Sequence, residues 1–438
     1  MYLRSSRWSY THRRKRSSPW RILVLAILVG VMVMINQVVV PNTQPLFIPT
    51  PTATRSPESF VTEAENLAAS GKLAQSIQAY TQAIQADPKT PANFIALARL
   101  QMFTGQYAEA QANAENALIL SPNNALALAV RGWALGFQGN YLEAEAAINR
   151  ALEIEPNNAI AYAYLAEVIA LQIQAGKDTL ASKDKMINAS RQAVDYGPNL
   201  LETHRARGLV LELTSNYQEA AVEFEKAVAQ NPNIADLHLA LGRNYRALEQ
   251  YDRAMEEFNR ANALNPSDPL PLIYISRTFF TVGEFAKAIQ AAQQAINITP
   301  ADPFLYGNLG SIYYRNRQYP EAIQTLRMAI RGGTAENGET VNGLPLDYGR
   351  VAEYYYTYGL AAARAGECSE ALQISRLLLD GVPNDETAVF NANEMVNICR
   401  EAANSPLPTA APGADGTALP EGDGTAQPEG EVTPTPAP

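Results

Sequence analysis

The chain has 438 residues with 47% hydrophobic and 18% charged content, which supports a folded body and argues against disorder throughout. Two cysteines and three histidines exclude a disulfide-dense scaffold and a multi-finger zinc protein. The net charge of −10 argues against global nucleic-acid binding, and it is unevenly placed: residues 1–21 carry seven Arg/Lys and no acid, whereas residues 401–438 carry six acids and no base.

The basic segment 1–21 precedes an apolar run, Ile22 to Val40, whose strongly polar members are Asn36 and Gln37 near its far end. With Trp20 the stretch is 21 residues, roughly 30 Å as a helix, which matches the hydrocarbon core of a bilayer. Residues 22–40 are therefore expected to form a transmembrane signal-anchor, with the basic flank in the cytoplasm and the rest of the chain on the far side of the membrane. A cleaved signal peptide would have a shorter apolar region and a small-x-small exit, whereas this run leaves through Gln37, three valines and Pro41. Residues 41–57 hold five prolines with Thr and Ser and are expected to act as an extended spacer. At the other end, residues 401–438 combine Pro, Gly, Thr and acids with few bulky apolar side chains, and are expected to be a disordered tail.

A 34-residue beat fills residues 58–400. Pro88, Pro122 and Pro156 are spaced 34 apart, and so are Pro198, Pro232, Pro266 and Pro300; the step between the two series is 42, which is 34 plus an insertion of eight. Numbering each unit from 1, with the closing proline at 32, exposes two helices. Positions 4, 7, 8 and 11 form the stripe of the first, as in Leu128, Arg131, Gly132 and Leu135. Positions 20, 24 and 27 form that of the second, as in Ala254, Phe258 and Ala261. Glycine at position 8 (Gly132, Gly208, Gly242, Gly310, Gly359) and alanine at position 20 let the two helices approach closely. An aromatic at position 17 (Tyr107, Tyr141, Tyr217, Tyr251, Phe285, Tyr319) follows a Gly or short polar turn.

This pattern resembles the tetratricopeptide repeat family. Units start near residues 57, 91, 125, 159, 201, 235, 269, 303 and 352. The resemblance implies an all-α, right-handed superhelix (α-solenoid) of about nine helix pairs, preceded here by the one transmembrane helix. The first unit departs by having Ser76 at position 20, the fourth carries an insertion near residues 171–185, and the eighth runs into a Gly-rich loop at 332–349. After Pro383 one more helix is expected to cap the last unit.

Chemistry is sparse. His204 and His238 occupy position 4 of consecutive units with no further ligand at an obvious offset, and no metal site is expected. Ala175 to Thr179 lacks the upstream glycine and the strand of a phosphate loop, and no hydrolase, zincin or dinucleotide fingerprint occurs. No cofactor and no catalytic residue is expected, and an enzyme is improbable.

Positions 2, 5, 9 and 12 of each first helix point away from the stripe and, by resemblance, line a concave groove that binds proteins or peptides. Its candidate contacts are Ile95, Arg99, Met102, Leu126, Trp133, Ile160, Arg205, Arg243, Arg246, Arg277, Phe280, Tyr314 and Tyr356. Aligned apolar side chains suit partner contact, and arginines suit carboxylates or acidic peptides. Against this, Glu202, Glu212 and Asp236 share the face, so the arginines can equally form inter-repeat ion pairs. The family's carboxylate clamp, built from Lys and Asn, has no counterpart. Cys368 at position 17 of the last unit and Cys399 at the end of the cap fall on antiparallel helices and are expected to form a disulfide. The expected role is a membrane-anchored interaction scaffold of the cell envelope, with no nucleic acid among its partners. The alternatives are a regulatory or assembly subunit of an envelope enzyme complex, or a secreted binding protein if the anchor is cleaved.

Overall fold

The computed structural model describes residues 18–39, 55–177 and 179–404. The basic residues before Arg21, most of the Pro/Thr-rich spacer and the acidic tail after Asn404 lie outside them. An N-terminal helix runs from Pro19 to Met34 and continues as a π-helical turn, Ile35–Val39. No side chain of the helix Pro19–Met34 is buried. The segment Pro19–Gln37 is long and apolar enough to cross a membrane, with a mean hydropathy of 2.0.

Nine helix pairs follow among the described residues. They are Pro57–Ala69 with Leu73–Ala86, Pro91–Phe103 with Tyr107–Leu120, Ala125–Phe137 with Tyr141–Ile154, Ala159–Gln174 with Ser182–Tyr196, and Leu201–Leu213 with Tyr217–Gln230. Then come Ala235–Ala247 with Tyr251–Leu264, Leu270–Thr281 with Phe285–Ile298, Pro303–Arg315 with Tyr319–Arg331, and Arg350–Arg364 with Cys368–Gly381. A last helix, Glu386–Asn404, covers the ninth unit.

The spacing of small and large residues explains the pairing. Position-20 alanines Ala110, Ala144, Ala220, Ala254, Ala288, Ala322 and Ala371 are all 0% exposed. A methyl group at Gly242 would sit 2.6 Å from the Phe258 ring, and one at Gly132 only 2.7 Å from the Ala144 carbonyl oxygen, so any side chain there would push the two helices apart. Phe224 and Phe258 fill the space that the glycines leave, each burial being worth about 1.5–3 kcal/mol. Where serine replaces a small apolar residue, its hydroxyl finds the facing backbone. Ser76 donates to the Ala64 carbonyl (2.6 Å), and Ser276 donates to that of Ala288 (2.7 Å).

Position 15, the turn between the helices, has a left-handed backbone in every unit where it can be aligned. Gly71, Gly105, Gly139, Gly283 and Gly366 occupy it in five units, but Ser215, Glu249 and Arg317 adopt φ of 62°, 60° and 61° in the other three. A side chain in this region is strained. Glu249 is exposed and has no ion pair among the described residues, so Glu249→Gly is expected to stabilise the fold by about 0.5–1 kcal/mol. Urea unfolding reads the gain, and a loss of stability would show that the turn is not strained.

The Gly-rich loop after the eighth unit departs from an all-α chain. Residues Gly332–Thr334 and Thr340–Asn342 pair as a short antiparallel hairpin, with Gly333 opposite Val341. Val341 is buried, and the Leu344 amide donates to the Ala329 carbonyl, so the hairpin packs on the preceding helix rather than looping freely. Backbone at Gly332 and Gly343 approaches too closely for a Cβ, which accounts for glycine on both sides of the hairpin.

Candidate partner-binding groove

The series of units turns back on itself. Arg99 of the second unit pairs with Glu202 of the fifth, the Arg205 guanidinium lies 5.9 Å from the Phe103 ring, and Gly71 of the first unit lies against Asn233 at the entrance to the sixth.

In units two to six the side chains of the face pair with one another, beside a cavity of about 410 Å³ lined by Glu167, Arg205, Glu212, Asp236 and Arg243. Ile95 and Met102 are buried, and Leu126 and Ile160 pack against the same core cluster. Trp133 is 0% exposed, stacked on Tyr164 at 4.2 Å, with its indole Nε1 donating to Glu167 (2.8 Å). Arg205 lies 5.0 Å over the Trp133 ring and bridges Glu167 (3.5 Å) and Asp236 (2.7 Å). Arg243 donates through Nε and an Nη to both oxygens of Glu212 (2.8 and 3.0 Å). Burial pushes the Glu167 carboxyl up to about 7, against the opposing pull of Arg205 and the Trp133 hydrogen bond. The inter-repeat ion pairs expected beside the binding reading are therefore present at Arg99, Arg205 and Arg243.

In units six to nine the face opens into a cavity of about 230 Å³. Arg246, Arg277 and Arg350 line it with Phe280, Ile273, Asn308, Ser311 and Glu353. Among the described residues Arg246 and Arg277 have no carboxylate partner, and the Arg246 Nε is buried without an acceptor. Burial, followed by the guanidinium groups of Arg350 and Arg246, holds Arg277 below the usual arginine range. Arg350 pairs with Glu353 at 3.3 Å, which leaves three guanidinium groups facing one carboxylate. The Tyr354 hydroxyl donates to Asn308 Oδ1 (3.0 Å), so the Asn308 amide hydrogens remain to donate.

Tyr314 and Tyr356 are half-buried and do not line this cavity. Tyr314 packs against Tyr319 (5.9 Å), and Tyr356 packs on the core of the last unit. Asn308, Ser311, Arg350 and Glu353 were not singled out in the sequence. Ser311 stands at position 9 and was legible by spacing; Arg350 precedes its unit's numbering and was not.

His204 and His238 are held by structural hydrogen bonds. His204 Nδ1 bonds Glu223 (2.6 Å) and His238 Nδ1 bonds Glu257 (2.5 Å), while His238 Nε2 donates to the Pro232 carbonyl. No group of three His, Cys, Asp or Glu that could hold a metal occurs among the described residues. Cys368 and Cys399 are joined as a disulfide, with Cα atoms 5.5 Å apart.

Models of the tetratricopeptide repeat match residues 95–159, 130–174, 214–271 and 291–324. The matches cover helices of the repeat series from the second to the eighth unit and begin and end inside units. The matched stretches are tetratricopeptide repeats. A tetratricopeptide repeat protein from Parabacteroides merdae is 15% identical, with a TM-score of 0.41 over 64% of this chain and 99% of that one. A thermophilic tetratricopeptide repeat protein of Thermus thermophilus is 21% identical, with a TM-score of 0.37 over 43% of this chain and 98% of that one. No curated protein matches the chain. Tetratricopeptide repeats are protein-interaction scaffolds and generally non-catalytic. In this chain the first-helix face holds two cavities, one lined by Arg205 and Arg243 with their paired acids and one lined by Arg246, Arg277 and Arg350 with Glu353 as the one acid.

Proposed function

We propose that the chain is a membrane-anchored interaction scaffold on the extracytoplasmic side, whose open groove in units six to nine holds an acidic segment of a partner protein. The observation that carries this reading is the cavity itself, where Arg246, Arg277 and Arg350 face the single carboxylate of Glu353. Desolvated guanidinium groups without acids gain from a carboxylate that accepts two parallel hydrogen bonds, and Phe280 and Ile273 offer an apolar wall beside them. The seven basic residues ahead of the apolar helix support an N-in orientation, and a Cys368–Cys399 bridge persists in an oxidising compartment.

A photo-crosslinker at position 280 of the full chain, activated in intact spheroplasts, is expected to capture a partner. The Arg246→Glu/Arg277→Glu variant should lose at least tenfold in yield while keeping its helicity. External protease should cleave the repeats in the same preparation. Unchanged capture in the variant removes the cavity from the interface, and repeats cut only after lysis reverse the topology.

A further inference from the structure

On the first-helix face this chain supplies an acid for each early arginine: Glu202 for Arg99, Glu167 and Asp236 for Arg205, and Glu212 for Arg243. At the cavity of units six to nine that matching stops, with Glu353 alone against Arg246, Arg277 and Arg350. The missing negative charge exists elsewhere in the chain. Beyond Asn404 stand Asp415, Glu421, Asp423, Glu429 and Glu431, with no Lys or Arg among residues 405–438.

The connection is short enough. The Cys368–Cys399 bridge ties the end of the helix Glu386–Asn404 beside the start of the helix Cys368–Gly381. From there Arg350 lies about one helix away, since the 15 residues of Arg350–Arg364 span about 22 Å. The eleven residues from Asn404 to Asp415 can reach about 36–40 Å, and every later acid can reach farther. Leu419 and Pro420 precede Glu421 directly, placing an apolar group next to a carboxylate as the Phe280 and Ile273 wall beside the arginines requires.

We propose that, without a partner, the cavity bounded by Arg246, Arg277 and Arg350 is occupied by the chain's own acidic segment 415–431, which an incoming acidic segment must displace. This rests on the reading of the cavity as an acid-binding site and adds its intramolecular occupant. The tail raises the threshold for partner binding, because a tethered ligand acts at an effective concentration in the millimolar range.

The test uses the full chain in detergent micelles and a fluorescein-labelled peptide of residues 415–431 as the probe. It compares the native chain with one carrying Asp415→Asn, Glu421→Gln, Asp423→Asn, Glu429→Gln and Glu431→Gln, all beyond the last helix. For a probe with a Kd near 0.1 mM, binding to the neutralised chain is expected to be about tenfold tighter than to the native chain. Adding Arg277→Glu to the neutralised chain should abolish it, and Arg277→Gln should weaken it with unchanged helicity. Equal affinity of the native and neutralised chains overturns the tail as occupant. If Arg277→Glu still weakens the probe in that case, the acid-binding reading of the cavity survives. No binding to either chain overturns both.

Discussion

Reducing the Cys368–Cys399 bridge is expected to destabilise the last unit and its capping helix by about 3–4 kcal/mol, the chain-entropy value for a separation of 31 residues. The effect should stay local, because each unit of a solenoid gains its stability from its own pairing and its immediate neighbours. The cap buries Ala388, Ala392 and Met395 against the ninth unit, and Gly359 leaves just enough room for the Met395 side chain. Outward-facing Phe390 and Val396 add nothing to that interface, so the cap is thin and depends on the bridge. Hydrogen exchange of the native chain with and without reductant reads the outcome. Protection should fall across residues 386–404 and 350–381 and remain in units two to seven. Uniform protection in both states would mean that the bridge holds nothing the packing does not. Because Arg350 and Glu353 belong to the ninth unit, reduction should also weaken binding at the cavity.

Arg205→Leu should cost about 3–5 kcal/mol at neutral pH, the usual penalty for removing one partner of a buried ion pair. The guanidinium sits over Trp133 and between Glu167 and Asp236, so its loss removes that stacking, strips Asp236 of its partner and leaves Glu167 buried without its cation, holding its proton at neutral pH. Glu167 also sets the pH dependence. Its carboxyl rises from an ordinary 4.5 to about 7 in the fold, with burial as the largest cause. Below pH 4.5 both states hold the proton. Between pH 4.5 and 7 the unfolded chain releases it and the folded chain keeps it, so stability falls as pH rises through that window. The loss amounts to about 3 kcal/mol. Glu167→Gln, which keeps an acceptor for the Trp133 indole, should flatten this slope between pH 5 and 8. In Arg205→Leu the fall should extend above pH 7, because the remaining carboxylate is harder to charge and keeps its proton to higher pH. Thermal melts across that range check both; parallel curves for all three chains would show that Glu167 does not titrate in the fold.

Local geometry made the fold readable in the amino-acid sequence. A glycine at position 8 facing an alanine at position 20, an aromatic at position 17 and a closing proline are contacts within one unit, separated by 34 residues or fewer. Their spacing therefore appears directly as a period, and the helices begin at Pro57, Pro91, Ala125, Ala159, Leu201, Ala235 and Pro303 as that period requires. The Cys368–Cys399 pairing was legible for the same reason, since it joins adjacent antiparallel helices. The short hairpin at 332–342 was not, because three-residue strands leave too little alternation to detect.

The groove was a different matter. Position in the repeat placed Arg99, Arg205, Arg243, Arg246 and Arg277 on one face, but it treats every unit alike. Arg205 and Arg243 meet acids of the neighbouring unit, Asp236 and Glu212, whereas Arg99 is paired by closure of the chain across distant units. Arg99 meets Glu202, 103 residues away, and Phe103 meets Arg205, whereas among the described residues no carboxylate pairs with Arg246 or Arg277. A small rotation between successive units sets where that closure falls, and the sum of many such rotations leaves no mark on any single window of sequence. Which arginines are paired is therefore a property of the tertiary structure, because a charge is neutralised by the acids nearest it in space, whether these lie in the next unit or, as for Arg99, far along the chain.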